Sequence, residues 1–386
     1  MEALELLDII ERGEDSHHQF KRNVTNAQSL SQEFCAFANS EGGLLIIGID
    51  DRTNEPVGLS TEDIHRINQL VSNAASEVRN PINPISENLK IGDKIVMAVR
   101  IREGKDKPYF ASDGAIFVKS GADKRKVTSK EELRRLFEDT DIIHGDSIPV
   151  DETTLADIDL EYFKEFLSKE YEKQYQEFTE SLQLLLNNLN LAKGDRLNMA
   201  GLLLFGKNPQ KYKPQFNIKA VHFPGKLDTA DTYLDSEDFQ GKLSDLFNSG
   251  MFFIRRNLSK IQNGQNRNSL GVLAVNQDVF EELLVNALIH RSYLISAPIR
   301  LFIFTDRIEI INPGTLPNNL TIENIKNGNS NQRNPIIASF ATKQHPPLGL
   351  PYRGIGTGIR RALSLYSEIN FINDKDNNLF KAIIHL

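Results

Sequence analysis

The spacing of apolar residues along the chain changes period several times, and each change marks an element. In "LELLDIIERG" apolar positions fall three and four apart, which predicts a short amphipathic helix ending at Gly13. "LSQEFCAFANS" predicts a second helix, closed by "EGG" before the strand "LLIIGIDD". A third helix over about 61–78 leads to the strand "DKIVMAVRI", then "AIFVKSG" gives a further strand, and Ser129 with Glu132 at capping-box spacing opens a helix near 129–138. The polar stretch "DTDIIHGDSIPVDETT" predicts a linker. Beyond it the pattern predicts a long polar helix near 157–188, buried strands in "GLLLFG" and "FNIKAVHF", an amphipathic helix around 239–258, and a second connector in "SKIQNGQNRNSLG". The last part reads as the helix "QDVFEELLVNALIHRSY", two strands in "PIRLFIFTDRIEIINPG" joined at Thr305 and Asp306, an Asn-rich loop, a glycine loop and a terminal hairpin. The fold class is α+β, in three parts: 1–142, an α/β domain; 143–270, an acidic linker with a central α/β segment; and 271–386, an α/β module.

Composition narrows the class. The 386 residues carry 40 % hydrophobic and 25 % charged side chains without an apolar run long enough to span a membrane, so a soluble protein is expected. The acidic start "MEALELLDIIERGED" lacks the layout of a signal peptide, which predicts a cytoplasmic location. The single cysteine, Cys35, can form no internal disulfide and reads as a small buried hydrophobe. The net charge of −7 is uneven: residues 102–135 hold ten Lys and Arg against six acids, whereas 141–180 hold twelve acids against three bases. Only the first region suits a polyanion.

Candidate chemistry concentrates in "YRGIGTGIRRAL", with Gly354, Gly356 and Gly358 at alternate positions before a helix. The spacing excludes a Walker loop, and with it a helicase motor; it also excludes a dinucleotide loop. Alternate glycines nonetheless let backbone N–H groups turn toward an anion, and the next helix offers its positive N-terminal end. A second feature complements this one. Glu282, Asn286 and His290 recur every four residues and share one helical face, opposite the stripe Phe280, Leu283, Leu284, Ala287 and Leu288. Polar groups on so apolar a helix need partners, which a metal ion, a water and a phosphate would supply. The scattered histidines form no zinc-protease pattern, and there is no serine-hydrolase elbow.

"EELLVNALIHR" and "RGIGTGI" together resemble the Glu-x-x-x-Asn box and later glycine box of the GHKL ATPase fold shared by gyrase, histidine kinases and MutL. The order "NALIHRSY", "DRIEIINPGTLP", "RNPIIASF" and glycine box is similar to the divergent HATPase-like module of RecG-like transcriptional regulators, which implies a GHKL-like α/β sandwich. The resemblance implies that Asn286 binds Mg2+, that Glu282 polarises the attacking water, and that Gly354, Gly356 and Gly358 wrap the phosphates of ATP; His290, Asn312 and Gly314 complete the nucleotide-binding set. The GHKL pattern has an adenine-reading Asp, and Ile311 is expected in its place, with Asn312 or Asp306 as substitutes.

At the other end, "GEDSHHQFKRNV", "CAFANSEGGLLIIGIDD" and "VGL" resemble the Schlafen-type AlbA-like domain. Schlafen nucleases hold a metal with three carboxylates; the matching positions here are Glu14, Gln19 and Asp50, an incomplete set. Lys21, Arg22, Lys105, Lys107, Lys119, Lys124, Arg125 and Lys126 are the expected nucleic-acid contacts, with Tyr109 and Phe110 as stacking groups. The expectation is a homo-oligomeric regulator that binds nucleic acid, DNA in preference to RNA, and an adenine nucleotide, with slow ATP hydrolysis. Its rivals are a metal-dependent Schlafen-like RNase and a non-catalytic dimeric scaffold.

Overall fold

The structure of the protein is a computed structural model that describes residues 3–138, 143–229, 232–258, 260–261, 272–273, 275–317, 320–343 and 346–386. It is a mixed α+β protein of two compact units, Met1–Ile142 and Ile143–Leu386. No helix among the described residues is long and apolar enough to cross a membrane.

The first unit runs α1 (Ala3–Arg12), β1 (His18–Lys21), α2 (Ala27–Asn39), β2 (Gly43–Ile47), α3 (Thr61–Glu77), β3 (Ile85–Ile91), β4 (Lys94–Ile101), the hairpin β5 (Phe117–Ser120) and β6 (Asp123–Lys126), and α4 (Lys130–Glu138). The sheet has the order β1-β2-β4-β3, with β1 parallel to β2 and the other pairs antiparallel. Strand β2 is apolar at every position because both of its faces are covered. Leu44 and Ile46 pack with Leu6 and Ile10 of α1, while Leu45 and Ile47 pack with Phe34, Phe37 and Val71 of α2 and α3. Cys35 is buried on α2, its Sγ donates to the Tyr109 carbonyl at 3.0 Å, and burial pushes the thiol up to about 11.

The second unit comprises α5 (Leu160–Tyr171), α6 (Leu182–Asn188), β7 (Ala192–Lys193), β8 (Arg196–Leu197), α7 (Met199–Phe205), α8 (Pro209–Tyr212), β9 (Ile218–His222), β10 (Asp235–Phe239) and α9 (Leu243–Asn257). It continues through β11 (Lys260–Ile261), β12 (Val272–Leu273), α10 (Gln277–His290), β13 (Ile299–Ile303), β14 (Arg307–Pro313), α11 (Ile322–Lys326), α12 (Pro335–Ala341), α13 (Gly358–Leu365), β15 (Ile369–Asp374) and β16 (Leu379–His385). Six strands form one sheet, β10-β9-β13-β14-β16-β15, in which β9 and β13 are parallel. Helices α7, α9, α10 and α12 share a single core with Ala220, Leu301, Ile310 and Ile384 of that sheet. The sheet takes strands from both sides of residue 270, so the central segment and the last third are one unit rather than two.

Three sequence expectations are corrected here. "GLLLFG" is helix α7 rather than a strand: all seven residues are buried, and Asn198 caps it by accepting the Gly201 N–H at 2.8 Å. A short apolar run buried on all sides has the same pattern in either conformation. The polar helix near 157–188 is broken at Glu172, whose φ of 55° is left-handed, and restarts as α6 behind the cap Ser181. The polar stretch 143–154 is not a solvated linker, for Asp146, Val150 and Thr153 are all buried. The Asp146 Oδ2 accepts the N–H groups of Ile336 and Ile337 at 2.7 and 3.0 Å, capping α12, while its Oδ1 has no hydrogen-bond partner among the described residues. Residues 139–142 of that stretch and most of the expected second connector lie outside the described residues.

Candidate functional site

Helix α10 starts at its cap Asn276, whose side chain accepts the Asp278 N–H, and it is buried along most of its length. Its polar row faces α13. The carboxylate of Glu282, 5 % exposed, is held at one oxygen by the Asn286 amide at 3.0 Å and at the other by the guanidinium of Arg361. Arg361 stands three residues into α13 and was not singled out by the sequence reading; its spacing from Gly358, one helical turn, is the signal that could have found it. Gly358, the first residue of α13, lies against this cluster so closely that a Cβ there would come 1.8 Å from Glu282 Oε1. Gly356 is left-handed at φ 72°, and a Cβ on it would meet the Gly328 carbonyl oxygen at 2.6 Å.

These groups line one cavity of about 120 Å3. That is roughly ten times the space one water needs. Glu282, Asn286, His290, Asn312, Gly314, Gly354, Gly356 and Gly358 all contribute to its wall, so the expected residues of the last third are brought together. At the far end the wall turns apolar through Ile310, Leu316, Pro317, Leu320, Phe380 and Ala382.

The position of Asn312 follows from strand register. In antiparallel pairing, Cα partners share a face. Ile310 pairs with Ala382 and Asn312 with Phe380, and these four residues line the cavity. Ile311 pairs with Arg300 and Lys381 in the intervening row, on the opposite face. Ile311 therefore cannot meet a ligand here, and the position facing the cavity is Asn312, two residues before Gly314. Asp306 is no substitute: it sits in the β13–β14 turn, paired with Lys226 and Arg307 at 3.3 and 3.0 Å, and does not line the cavity. Asn312 is 6 % exposed, and its Oδ1 has no hydrogen-bond partner among the described residues.

Behind the cavity the motif "RNPIIASF" holds the far end of α10. Asn334 donates to the carbonyls of Ile289 and Arg291 at 2.8 Å each, and Arg333 reaches the carbonyls of His290 and Thr315. Burial and the charge of Arg333 push the His290 imidazole down to about 4. Its Nε2 lies 3.3 Å from the Tyr352 hydroxyl. Burial conversely raises the Asp146 carboxyl to about 6. The two shifts oppose each other. Asp146 gains a proton on folding between its ordinary 3.8 and about 6, so its contribution to stability falls as pH rises through that window. His290 gives up a proton on folding between about 4 and 6.5, so its contribution climbs over nearly the same range. In Asp146→Asn only the second slope remains, and stability is expected to rise by roughly 3 kcal/mol from pH 4 to pH 6.5, against a nearly flat wild type. Urea unfolding across that range measures it; equal profiles for the two proteins would contradict the assignment.

In the first unit the expected metal positions are each committed elsewhere. Glu14 Oε1 accepts the Phe20 N–H at 2.7 Å, and Asp50 accepts the N–H groups of Arg52 and Thr53, which hold its carboxyl below the usual range. Gln19 is 4 % exposed, and its Oε1 takes the Lys119 ammonium at 3.1 Å. Among the described residues, no three His, Cys, Asp or Glu side chains form a group able to hold a metal ion. A neighbour the sequence reading missed is Glu33, buried on α2 and paired with Lys124 at 2.7 Å. A carboxylate inside the apolar run "SQEFCAFANS" is the signal that marks it.

The basic set divides. Lys107 pairs with Glu103 at 2.7 Å, Arg125 is bidentate to Glu132, and Lys119 and Lys124 are engaged as above. Burial lowers the Lys119 ammonium from its ordinary value. Arg22, Lys105 and Lys126 are exposed, with Arg22 3.6 Å from Asp50, and Lys21 is partly exposed. Tyr109 and Phe110 do not interleave with them as stacking groups. Tyr109 is 6 % exposed in the core with α2, and Phe110 packs against Ile116 and Val118.

Residues 14–128 match the Schlafen AlbA_2 family. Residues 296–378, which hold Asn312 and the glycine loop, match the family described as "Putative ATP-dependent DNA helicase recG C-terminal". Among solved structures, the DIP2311 protein from Corynebacterium diphtheriae is 18 % identical over 99 % of this chain and 79 % of its own, with a TM-score of 0.45. The N-terminal domain of a RecG-related protein from Nitrosomonas europaea is 24 % identical over 34 % of this chain and 96 % of its own, with a TM-score of 0.24. A comparison with curated proteins gives no match. The chain thus carries a Schlafen AlbA_2 domain and a RecG C-terminal-like domain, a pair that points to a nucleic-acid-related, ATPase-like function.

Proposed function

We propose that this chain is a cytoplasmic, homo-oligomeric transcription regulator whose first unit binds DNA and whose second unit binds ATP with Mg2+ in the GHKL manner. The observation that carries the ATP reading is the convergence of Glu282, Asn286 and the three glycines on one cavity, with Gly358 fitted so tightly to Glu282 that only a glycine fills the position. Asn286 would hold the Mg2+, which when bound neutralises phosphate charge. Gly354 and Gly356 let the backbone turn its N–H groups to the phosphates, and Arg361 supplies a cation beside them. Among the described residues Glu282 is the one carboxylate of the cavity wall, and it would accept a proton from the attacking water once Arg361 releases it. Slow hydrolysis follows from that requirement, since the base begins the cycle in an ion pair.

In the first unit, Lys21, Lys105 and Lys126, with Arg22 held only at 3.6 Å by Asp50, offer charge to phosphates, which favours weakly sequence-specific contact with a nucleic-acid backbone. Lys119 occupies Gln19 where a metal-dependent nuclease would need a second carboxylate, so binding is favoured over cleavage. Calorimetric titration of Mg-ATP tests the ATP reading. Wild type is expected to bind and Asn286→Ala to lose about tenfold or more in affinity. A wild type that takes up no adenine nucleotide would overturn it.

A further inference from the structure

We propose that Asn312 makes the cavity a general purine-nucleotide site, with little preference between adenine and guanine. This rests on the ATP reading above and deepens it. At the apolar end the sheet presents Ile310, Phe380 and Ala382, and in their midst a single buried carboxamide whose Oδ1 has no hydrogen-bond partner among the described residues. A buried polar atom without a partner is costly unless a ligand completes it. The apolar surroundings suit the faces of a flat base, and the amide suits its edge.

The chemistry of that edge decides the selectivity. A carboxylate only accepts, so it welcomes the 6-amino group of adenine and repels the O6 of guanine. A carboxamide both accepts and donates. With adenine, Oδ1 accepts from the 6-amino group while Nδ2 donates to N1; after a half-turn of the amide, Nδ2 donates to guanine O6 while Oδ1 accepts from N1–H. Each purine receives two hydrogen bonds. The half-turn is open because, among the described residues, no hydrogen bond ties the Oδ1 of Asn312 to one orientation.

Displacement of a fluorescent N-methylanthraniloyl-ATP from the full chain by ATP and by GTP tests this. Wild type is expected to give Kd values within about threefold of each other, and Asn312→Asp to favour ATP by about tenfold or more, the worth of one hydrogen bond gained or lost in a buried site. Asn312→Leu, a variant of similar size that cannot read the edge, is expected to weaken both nucleotides alike. A wild type that prefers ATP by tenfold, or an Asn312→Asp protein with an unchanged ratio, overturns the proposal while the ATP reading stands. If the labelled ATP does not bind at all, both fall together.

Discussion

Gly358→Ala is expected to abolish nucleotide binding and to remove about 3 kcal/mol or more of folding stability. The added methyl would sit 1.8 Å from Glu282 Oε1, 2.7 Å from its Cδ and 3.0 Å from Asn286 Nδ2, so neither residue can stay where it is. Overpacking a core position typically costs about 1–3 kcal/mol. Here the group displaced is a buried carboxylate, and breaking a buried ion pair adds to that cost. Thermal unfolding and Mg-ATP titration of the variant measure the two effects. Gly225→Ala is the control, because a Cβ there meets nothing within 4 Å. A Gly358→Ala protein as stable as that control would refute the packing described for α10 and α13.

Arg361→Ala is expected to cost about 3–5 kcal/mol, since it leaves the Glu282 carboxylate buried opposite no cation. The cost belongs to the pair rather than to Arg361 alone. In a Glu282→Gln background the same truncation should cost at least about 2 kcal/mol less, because a neutral amide needs no counter-charge. Denaturant unfolding of the four proteins in this cycle gives the coupling directly, and strictly additive effects would show that the pair is not formed in solution. The cycle also bears on hydrolysis. If Glu282 receives the proton of water only after Arg361 lets go, Arg361→Lys, a weaker partner, should lower ATP affinity yet spare or raise turnover at saturating nucleotide.

The glycine-lined end of the cavity is legible in sequence because it depends on local periodicity. Residues at four-residue intervals share a helical face wherever the helix lies, and glycines that cluster before a helix mark a backbone that must turn tightly. At the apolar end, alignment puts Ile311 in the place of the family's Asp while the strand register turns Asn312 to the cavity, and the reason is the period of two in a strand. In β14 a shift of one position moves a side chain to the other face of the sheet, so Ile311 and Asn312 exchange roles with a single step in alignment. Arg361 escaped notice for a different reason: which way a long side chain on α13 reaches depends on the helix it packs against, and that pairing is tertiary. The same holds for the basic stretch of the first unit. Composition counts charges but not their partners, and Lys107, Lys124 and Arg125 spend theirs on nearby carboxylates. Tyr109 and Phe110 look like stacking groups among lysines, yet Tyr109 is buried in the core and Phe110 packs, partly buried, against Ile116 and Val118.

The parallel contact between β9 and β13 has a bearing on how the chain is made. These strands are sequence-distant neighbours, with α9 and α10 between them, and Ile218 must find Ile299 across that interval. During synthesis the β9–β10 hairpin emerges first, with the far side of β9 unpaired, and it waits in that condition until β13 leaves the ribosome. Non-local parallel pairing of this kind is slow to form. A fragment beginning at residue 271 would meet the reverse problem, with β13 as a raw border. The cavity therefore belongs to a unit that starts near Ile143, and cutting the chain near residue 270 would divide a sheet rather than separate two domains.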